Sequence, residues 1–417
     1  MNMKCLVIAV CSAVIGSASN AQDMATSTIS LRNALNATIE AHPSLRSFPL
    51  RNEALQGARE TADLRPAYTL GVEVENAFGT GAIRDFAGAE TSLRLSNVIE
   101  LGGKRAARVG VVSRKIEALD AEQRVVELDL LVEVVRRFID VATTQEQVKL
   151  QSQYTAMAEQ AINIIQPLVA AGHTPQLELD RANAALLQAR IAEQAATARL
   201  ESAGIRLANM WANNTPKFDA VESDFLSVGQ VGSIDSILSE LSENPDIEYF
   251  AAKARLLETQ LQLAQTRQQG DVLWSAGIQH LKEFDATGLA FSVTVPLSTK
   301  ARASGSMRTA RANLQEIEAR RVTAFNAIEG EIRSLHQSLR QAIAEVNALQ
   351  QQIIPVLQKV LQQTQEAYAV GGYSYVELIS ARQEFLDARL SLISSASNAH
   401  KIRAEIERLS GSPLSGQ

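Results

Sequence analysis

Between Tyr68 and Glu75 the chain alternates strictly. Tyr68, Leu70, Val72 and Val74 are apolar, and Thr69, Gly71, Glu73 and Glu75 between them are polar or small. A period of two marks a strand with one apolar and one polar face. After a Gly-rich loop, Gly79 to Gly88, a second strand is expected over about Ala89–Val98. Leu93 and Leu95 share one of its faces, Arg94 and Ser96 the other. The pair recurs in the second half. Val272, Trp274, Ala276 and Ile278 form one face, and Leu289, Phe291, Val293 and Val295 follow beyond a Lys282–Thr287 loop. Strands of about ten residues suit a pair of hairpins in a soluble domain, and they also suit a tilted crossing of a bilayer. In the second case Tyr68, Leu70, Val72, Leu289, Phe291 and Val293 face lipid. Thr69, Glu73, Arg94, Ser292 and Thr294 face a lumen, because a slip of one residue would put charges into lipid.

Each hairpin leads into a long stretch of helical period. Lys104 to Gln166 has no proline and one glycine, Gly110, and would span roughly 95 Å as one helix. Ala121, Val125, Leu128, Val132, Val135, Ile139 and Ala142 step by fours and threes, as do Ile328, Ile332, Leu335, Leu339, Ala342, Val346, Leu349 and Ile353. Such seams belong to packed, coiled-coil-like helices. Return helices carry Leu179, Ala182, Leu186 and Ala189 in one half and Leu378, Ala381, Phe385 and Ala388 in the other. Short helices are expected before His42-Pro43 and Asn244-Pro245, each followed by a further helix, over 45–64 and 247–268.

The halves are copies. Ala170–Ile191 aligns without gaps on Ala369–Leu390 at an offset of 199, with 8 of 22 pairs identical, among them Gly172 with Gly371 and Glu178 with Glu377. A helix–turn–helix repeated at half the chain length is a duplicated architecture. The expected division is 1–21 as a signal peptide, 22–212 as a first repeat, 213–232 as a linker, 233–411 as a second repeat and 412–417 as a tail.

Composition narrows the function. Lys4, the apolar run Leu6–Ile15 and Ser19-Asn20-Ala21 read as a cleaved secretory signal. Cys5 and Cys11 both fall in it, so the mature chain lacks cysteine and any disulfide framework. Val10 before Cys11 fits a lipoprotein signal poorly. No later stretch has 18 uncharged apolar residues, so any membrane crossing must be by β-structure. The net charge of −6 gives no case for nucleic acid. No catalytic residues, cofactor site or metal site are expected: the five histidines are scattered, and Gly102-Gly103-Lys104-Arg105 lacks the spacing of a phosphate loop. That corner is read instead as a strand-to-helix bend with Lys104 and Arg105 solvated near a membrane surface. Met157 and Met210 read as gap-fillers between helices.

The signal, the duplicated halves and the hairpin-plus-long-helix order resemble the outer-membrane efflux protein family, which is TolC-like. AYAVGGYSYVELISA at Ala367–Ala381 and NVIELGGKRAARV at Asn97–Val109 carry the likeness. The second is similar to the subgroup of cobalt–zinc–cadmium resistance systems. The resemblance implies a mainly α fold with a small β part. Each half is a β-hairpin plus a long helical hairpin, and a homotrimer forms a 12-stranded outer-membrane β-barrel continued by a periplasmic α-helical barrel. It implies an exit duct for heavy-metal cations. The implied partners are outer-membrane lipid, a periplasmic adaptor (membrane-fusion protein) and a proton-driven inner-membrane pump of the resistance-nodulation-division class. Rival readings are a same-fold duct for organic drugs or secreted protein, and a periplasmic adaptor. The resemblance places adaptor docking at Gly172, Thr174, Gly371, Gly372 and Ser374. It places an aperture at Glu377, with Tyr368, Tyr373 and Glu178 beside it. Tyr373 stands where the family has an arginine and Ser380 where it has a second acid, so the closure is built differently here.

Overall fold

The computed structural model describes residues 27–411. The expected signal peptide and the tail lie outside them. The elements are β1 (Thr28–Ile29), α1 (Leu31–Ala41), α2 (Pro43–Asp63), β2 (Thr69–Glu75), β3 (Glu90–Ile99), α3 (Lys104–Ala170), α4 (Gln176–Ala208), β4 (Ala220–Val221), α5 (Ile234–Glu240), α6 (Pro245–Thr266), β5 (Val272–Leu281), β6 (Ala286–Thr294), α7 (Thr299–Ala348), α8 (Ile354–Ala369) and α9 (Tyr375–Ser410).

The four long strands form one antiparallel sheet in the order β2-β3-β5-β6, so β3 and β5 join the two halves. The register sorts the sheet into two chemistries. Leu70, Leu95, Ala276 and Phe291 lie side by side, as do Val72, Leu93, Ile278 and Leu289. The opposite face carries Thr69, Ser96, Ser275 and Ser292 in one row and Glu73, Ser92, Gln279 and Gly288 in another. The apolar face packs on nothing in the protomer: Leu70, Val72, Leu289 and Phe291 are each about 70% exposed. The outer edges of β2 and β6 carry no neighbour among the described residues. The last loop is shorter than expected, because β6 starts at Ala286 after a single 3₁₀ turn at Lys282–Phe284.

Helix α3 runs 67 residues, beyond the expected end, because Pro167 sits inside its last turn. A proline there leaves one carbonyl unbonded and the helix ends within a turn. Helix α4 returns along α3 on an alanine stripe. Ala182, Ala189, Ala196 and Ala203 recur every seven residues and none is more than 2% exposed. Small side chains let the two backbones approach closely, and Val134, Phe138, Val141 and Leu207 fill the core beside them.

The second half departs from the first at a five-residue π-helical turn, Leu349–Ile353. It ends two residues before Pro355, which cannot donate to the preceding turn. The wider turn shifts the seam by one residue. Ile353, expected in the seam, is 44% exposed, and Ile354 is buried in its place.

The bend after β3 also corrects the sequence reading. Lys104 is not solvated. Its Nζ lies 2.6 Å from Asp271 Oδ1, and the side chain is only 13% exposed. The same carboxylate accepts the Leu101 backbone N–H at 3.1 Å. Arg108 bonds Glu100 and the carbonyls of Ala62 and Leu64. The motif clamps the base of the sheet to the start of the helices, and Asp271 brings the second half into the joint. Arg105 is half-buried, 3.7 Å from Asp63.

Candidate functional site: the helical tip

Two helical hairpins, α3–α4 and α8–α9, reverse direction at the end far from the sheet. The turns have the same geometry. At the first, Gly172 N–H donates to Val169 O at 3.0 Å and His173 N–H to Leu168 O at 2.9 Å. At the second, Gly371 N–H donates to Tyr368 O at 3.0 Å and Gly372 N–H to Ala367 O at 2.8 Å. In each the first glycine is left-handed, with φ of +74° at Gly172 and +78° at Gly371. This is the helix stop that glycine serves best, since a β-carbon raises the energy of that conformation. Gly372 does not have positive φ. A β-carbon there would stand 3.3 Å from Ala367 O.

The next helix starts differently in the two halves, and the difference decides what the duplicated glutamates do. Ser374 caps α9, and Glu377 folds back on it. Glu377 Oε2 accepts the Ser374 N–H at 2.7 Å and the Ser374 hydroxyl at 3.0 Å. This is a capping box. Pro175 holds the matching place before α4 and offers neither an N–H nor a hydroxyl. Glu178 is therefore not used at home. It reaches the other hairpin, where the Tyr368 hydroxyl donates to its Oε2 at 3.1 Å. The tip thus contains one cross-hairpin bond made of two of the expected aperture residues, and one glutamate occupied by its own helix.

Behind this bond lies a cluster that the sequence reading missed. Arg382 is 6% exposed, its Nε has no hydrogen-bond partner, and Tyr154, Tyr368 and Tyr375 surround it. Burial pushes the guanidinium below its ordinary value, partly offset by the tyrosines. Burial also pushes the Tyr368 hydroxyl up, reinforced by the bond to Glu178. The rings of Tyr368 and Tyr375 are 6.1 Å apart. The signal was present in sequence: Tyr375, Leu378, Arg382 and Phe385 step by three, four and three, so an arginine occupies a seam position.

Outside the cluster the tip is open. Thr174, Glu178, Tyr368, Gly371 and Tyr373 line a cleft between the two turns. Val370 is 84% exposed and Val376 57%. Gly172, Gly371, Gly372 and Ser374 are exposed and Thr174 is half-buried. Among the described residues no group of three or more His, Cys, Asp or Glu side chains is placed to hold a metal ion.

Comparison with known proteins agrees with this architecture. Residues 79–213 match the family described as outer membrane efflux protein. The chain is 22% identical over 322 residues to the cobalt-zinc-cadmium resistance protein CzcC of Cupriavidus metallidurans, covering 77% of each. The outer membrane protein VceC of Vibrio cholerae superposes with a TM-score of 0.70 at 18% identity, over 92% of this chain and 97% of that one. The MtrE outer membrane channel of Neisseria gonorrhoeae, in its open state, gives 0.72 at 15% identity, over 94% and 92%. A two-faced sheet, paired glycine tips, a family match over residues 79–213 and a relative along most of the chain point one way: the chain is similar to the outer membrane efflux proteins and shares the fold of outer-membrane efflux channels.

Proposed function

We propose that three copies of this chain form the exit duct of a tripartite efflux system in the outer membrane. The sheet carries this reading. Four strands with two unpaired edges and one exposed apolar face cannot stand in lipid alone, because each unpaired backbone group costs several kcal/mol there. Three protomers supply 12 strands, and joining β2 of one to β6 of the next leaves no edge. The polar rows, from Thr69–Ser292 to Glu73–Gly288, then line the lumen. The long helices continue the tube into the periplasm.

A passive duct needs a pump and a coupling protein. The exposed glycine turns, with Val370, Tyr373 and Val376 between them, offer a small apolar surface to the hairpin tips of a periplasmic adaptor. An inner-membrane pump of the resistance-nodulation-division class supplies the work. The substrate class follows from the curated relative, whose name is that of a cobalt-zinc-cadmium resistance protein. In this reading Glu377 lines the aperture, joined by Glu178 if it faces inward, and three or six carboxylates converging on the axis would favour divalent over monovalent cations.

The test is planar-bilayer conductance of the purified full-length protein with and without cadmium or zinc. The expected result is discrete trimer-sized openings, cation-selective and partly blocked by the divalent ion. Glu377→Gln weakens the block. Monomers that form no pores refute the duct. Pores whose selectivity and divalent block ignore Glu377→Gln and Glu178→Gln remove the carboxylates from the aperture.

A further inference from the structure

Under the apolar face of the sheet the chain carries a second belt, made of cations. Leu64, Ile99, Leu101 and Leu297 are exposed at the foot of the strands and extend the apolar face past the strand ends. Next to them in the chain stand Arg65, Lys300 and Arg302, all exposed, and Arg105, which is half-buried. Arg105 forms a long ion pair with Asp63, at 3.7 Å. Arg65, Lys300 and Arg302 make no ion pair among the described residues. The carboxylates nearby are already taken, Asp271 by Lys104 and Glu100 by Arg108. Helix α7 has no acid in its first turn, and none before Glu316. Helix stability does not account for Arg105, Lys300 and Arg302 either, because cations in a first turn oppose the helix dipole.

An exposed apolar collar set against a cationic collar, three of whose four members make no ion pair among the described residues, matches the boundary of a bilayer, where acyl chains give way to phosphates. We propose that the foot of the barrel binds anionic phospholipid headgroups of the periplasmic leaflet, through Lys300, Arg302, Arg65 and Arg105. The inference rests on the reading of the sheet as membrane-spanning. It adds a lipid partner of defined charge at a defined height. Each cation beside an anionic leaflet strengthens the association about fivefold, less in high salt.

The experiment uses the full-length trimer reconstituted in phosphatidylcholine or in a phosphatidylcholine–phosphatidylglycerol mixture, with retained lipid read by native mass spectrometry. The expected result is enrichment of phosphatidylglycerol, falling about fivefold for each charge removed in Lys300→Gln and Arg302→Gln. Lys282→Gln, at the opposite end of the strands, leaves the enrichment unchanged. Equal retention of the two lipids by the unaltered protein overturns the proposal. So does full retention by the double variant, and so does displacement of the lipid by inorganic phosphate, which would make this a free-phosphate site. If the variants lose the trimer and the unaltered protein shows no lipid preference, the cations belong to the protomer interface and the proposal fails. Pore formation in pure phosphatidylcholine tests the membrane-spanning reading separately.

Discussion

Replacing Tyr368 by Phe removes one hydroxyl and keeps the ring. The ring is 5% exposed and packs 6.1 Å from that of Tyr375, so the helices should stay in place. What is lost is the hydroxyl's bond to Glu178, 3.1 Å long and partly buried. A hydrogen bond to a charged acceptor is worth about 1.5–3 kcal/mol, and partial exposure sets this one near the lower end. About 1.4 kcal/mol is a factor of ten, so each tip should shift roughly tenfold toward the separated state. Three tips released together would shift the duct by roughly a thousandfold. Single-channel recording of the reconstituted trimer reads this as longer open dwell times and higher mean conductance. Glu178→Ala should produce the same change, and the double variant should add nothing, because one bond is being removed by either route. If Tyr368→Phe and Glu178→Ala leave the closed fraction unchanged, or if their effects add in full, this bond does not hold the tip shut.

Three further outcomes are expected. Lysine at Val72 or Val293 puts a charge on the exposed apolar face and should cost about 2–4 kcal/mol per site near mid-membrane, seen as loss of trimer from outer-membrane fractions; a normal yield from both would reverse the two faces. Gly371→Val forces a β-branched residue to a φ of +78° at a cost of about 1–3 kcal/mol. It should leave the trimer intact while adaptor cross-linking falls, and unchanged cross-linking moves docking elsewhere. Bonding to Arg108 holds the Glu100 carboxyl below its ordinary 4.5. The folded value is the depressed one, so the stabilisation is present above pH 4.5 and is lost as pH falls through and below that range. The protection of the Leu101 amide, its exchange rate relative to the intrinsic rate at each pH, should fall on acidification below pH 4.5, and protection that ignores the titration separates the joint from Glu100.

Much of the fold was legible because its periods are long and its parts come twice. The alternation from Tyr68 to Glu75 fixed which side chains share a face, and the pairing of Val72 with Leu93 and of Leu93 with Ile278 follows it. Ala182 and Ala189, visible in the return-helix pattern, begin the alanine stripe on which α4 packs against α3. The misreadings came where the outcome depends on a neighbour distant in sequence. Lys104 looks solvated in the string ELGGKR, and only Asp271, 167 residues away, makes it a half-buried ion pair. Ile353 fits the seam by counting. The π turn before Pro355 adds one residue to the helix there, and a heptad count cannot anticipate an extra residue in a turn.

The tip shows the same limit at the level of one atom. Glu178 and Glu377 are duplicates by position and would be given the same role by any alignment. Their roles separate through the residue three places before each. Ser374 has an N–H and a hydroxyl, and both donate to Glu377, which is held in its own helix turn. Pro175 has neither, and a carboxylate without a local donor stays available to a partner beyond its own hairpin. Tyr368 is that partner, and its counterpart in the first half is Val169, which has no hydroxyl to give. One hairpin therefore supplies the acceptor and the other the donor, and the duplicated tip holds one cross-link where strict symmetry would have given two or none. A substitution that restores symmetry, serine at Pro175, should draw Glu178 back onto its own helix and release Tyr368 without altering either residue of the bond.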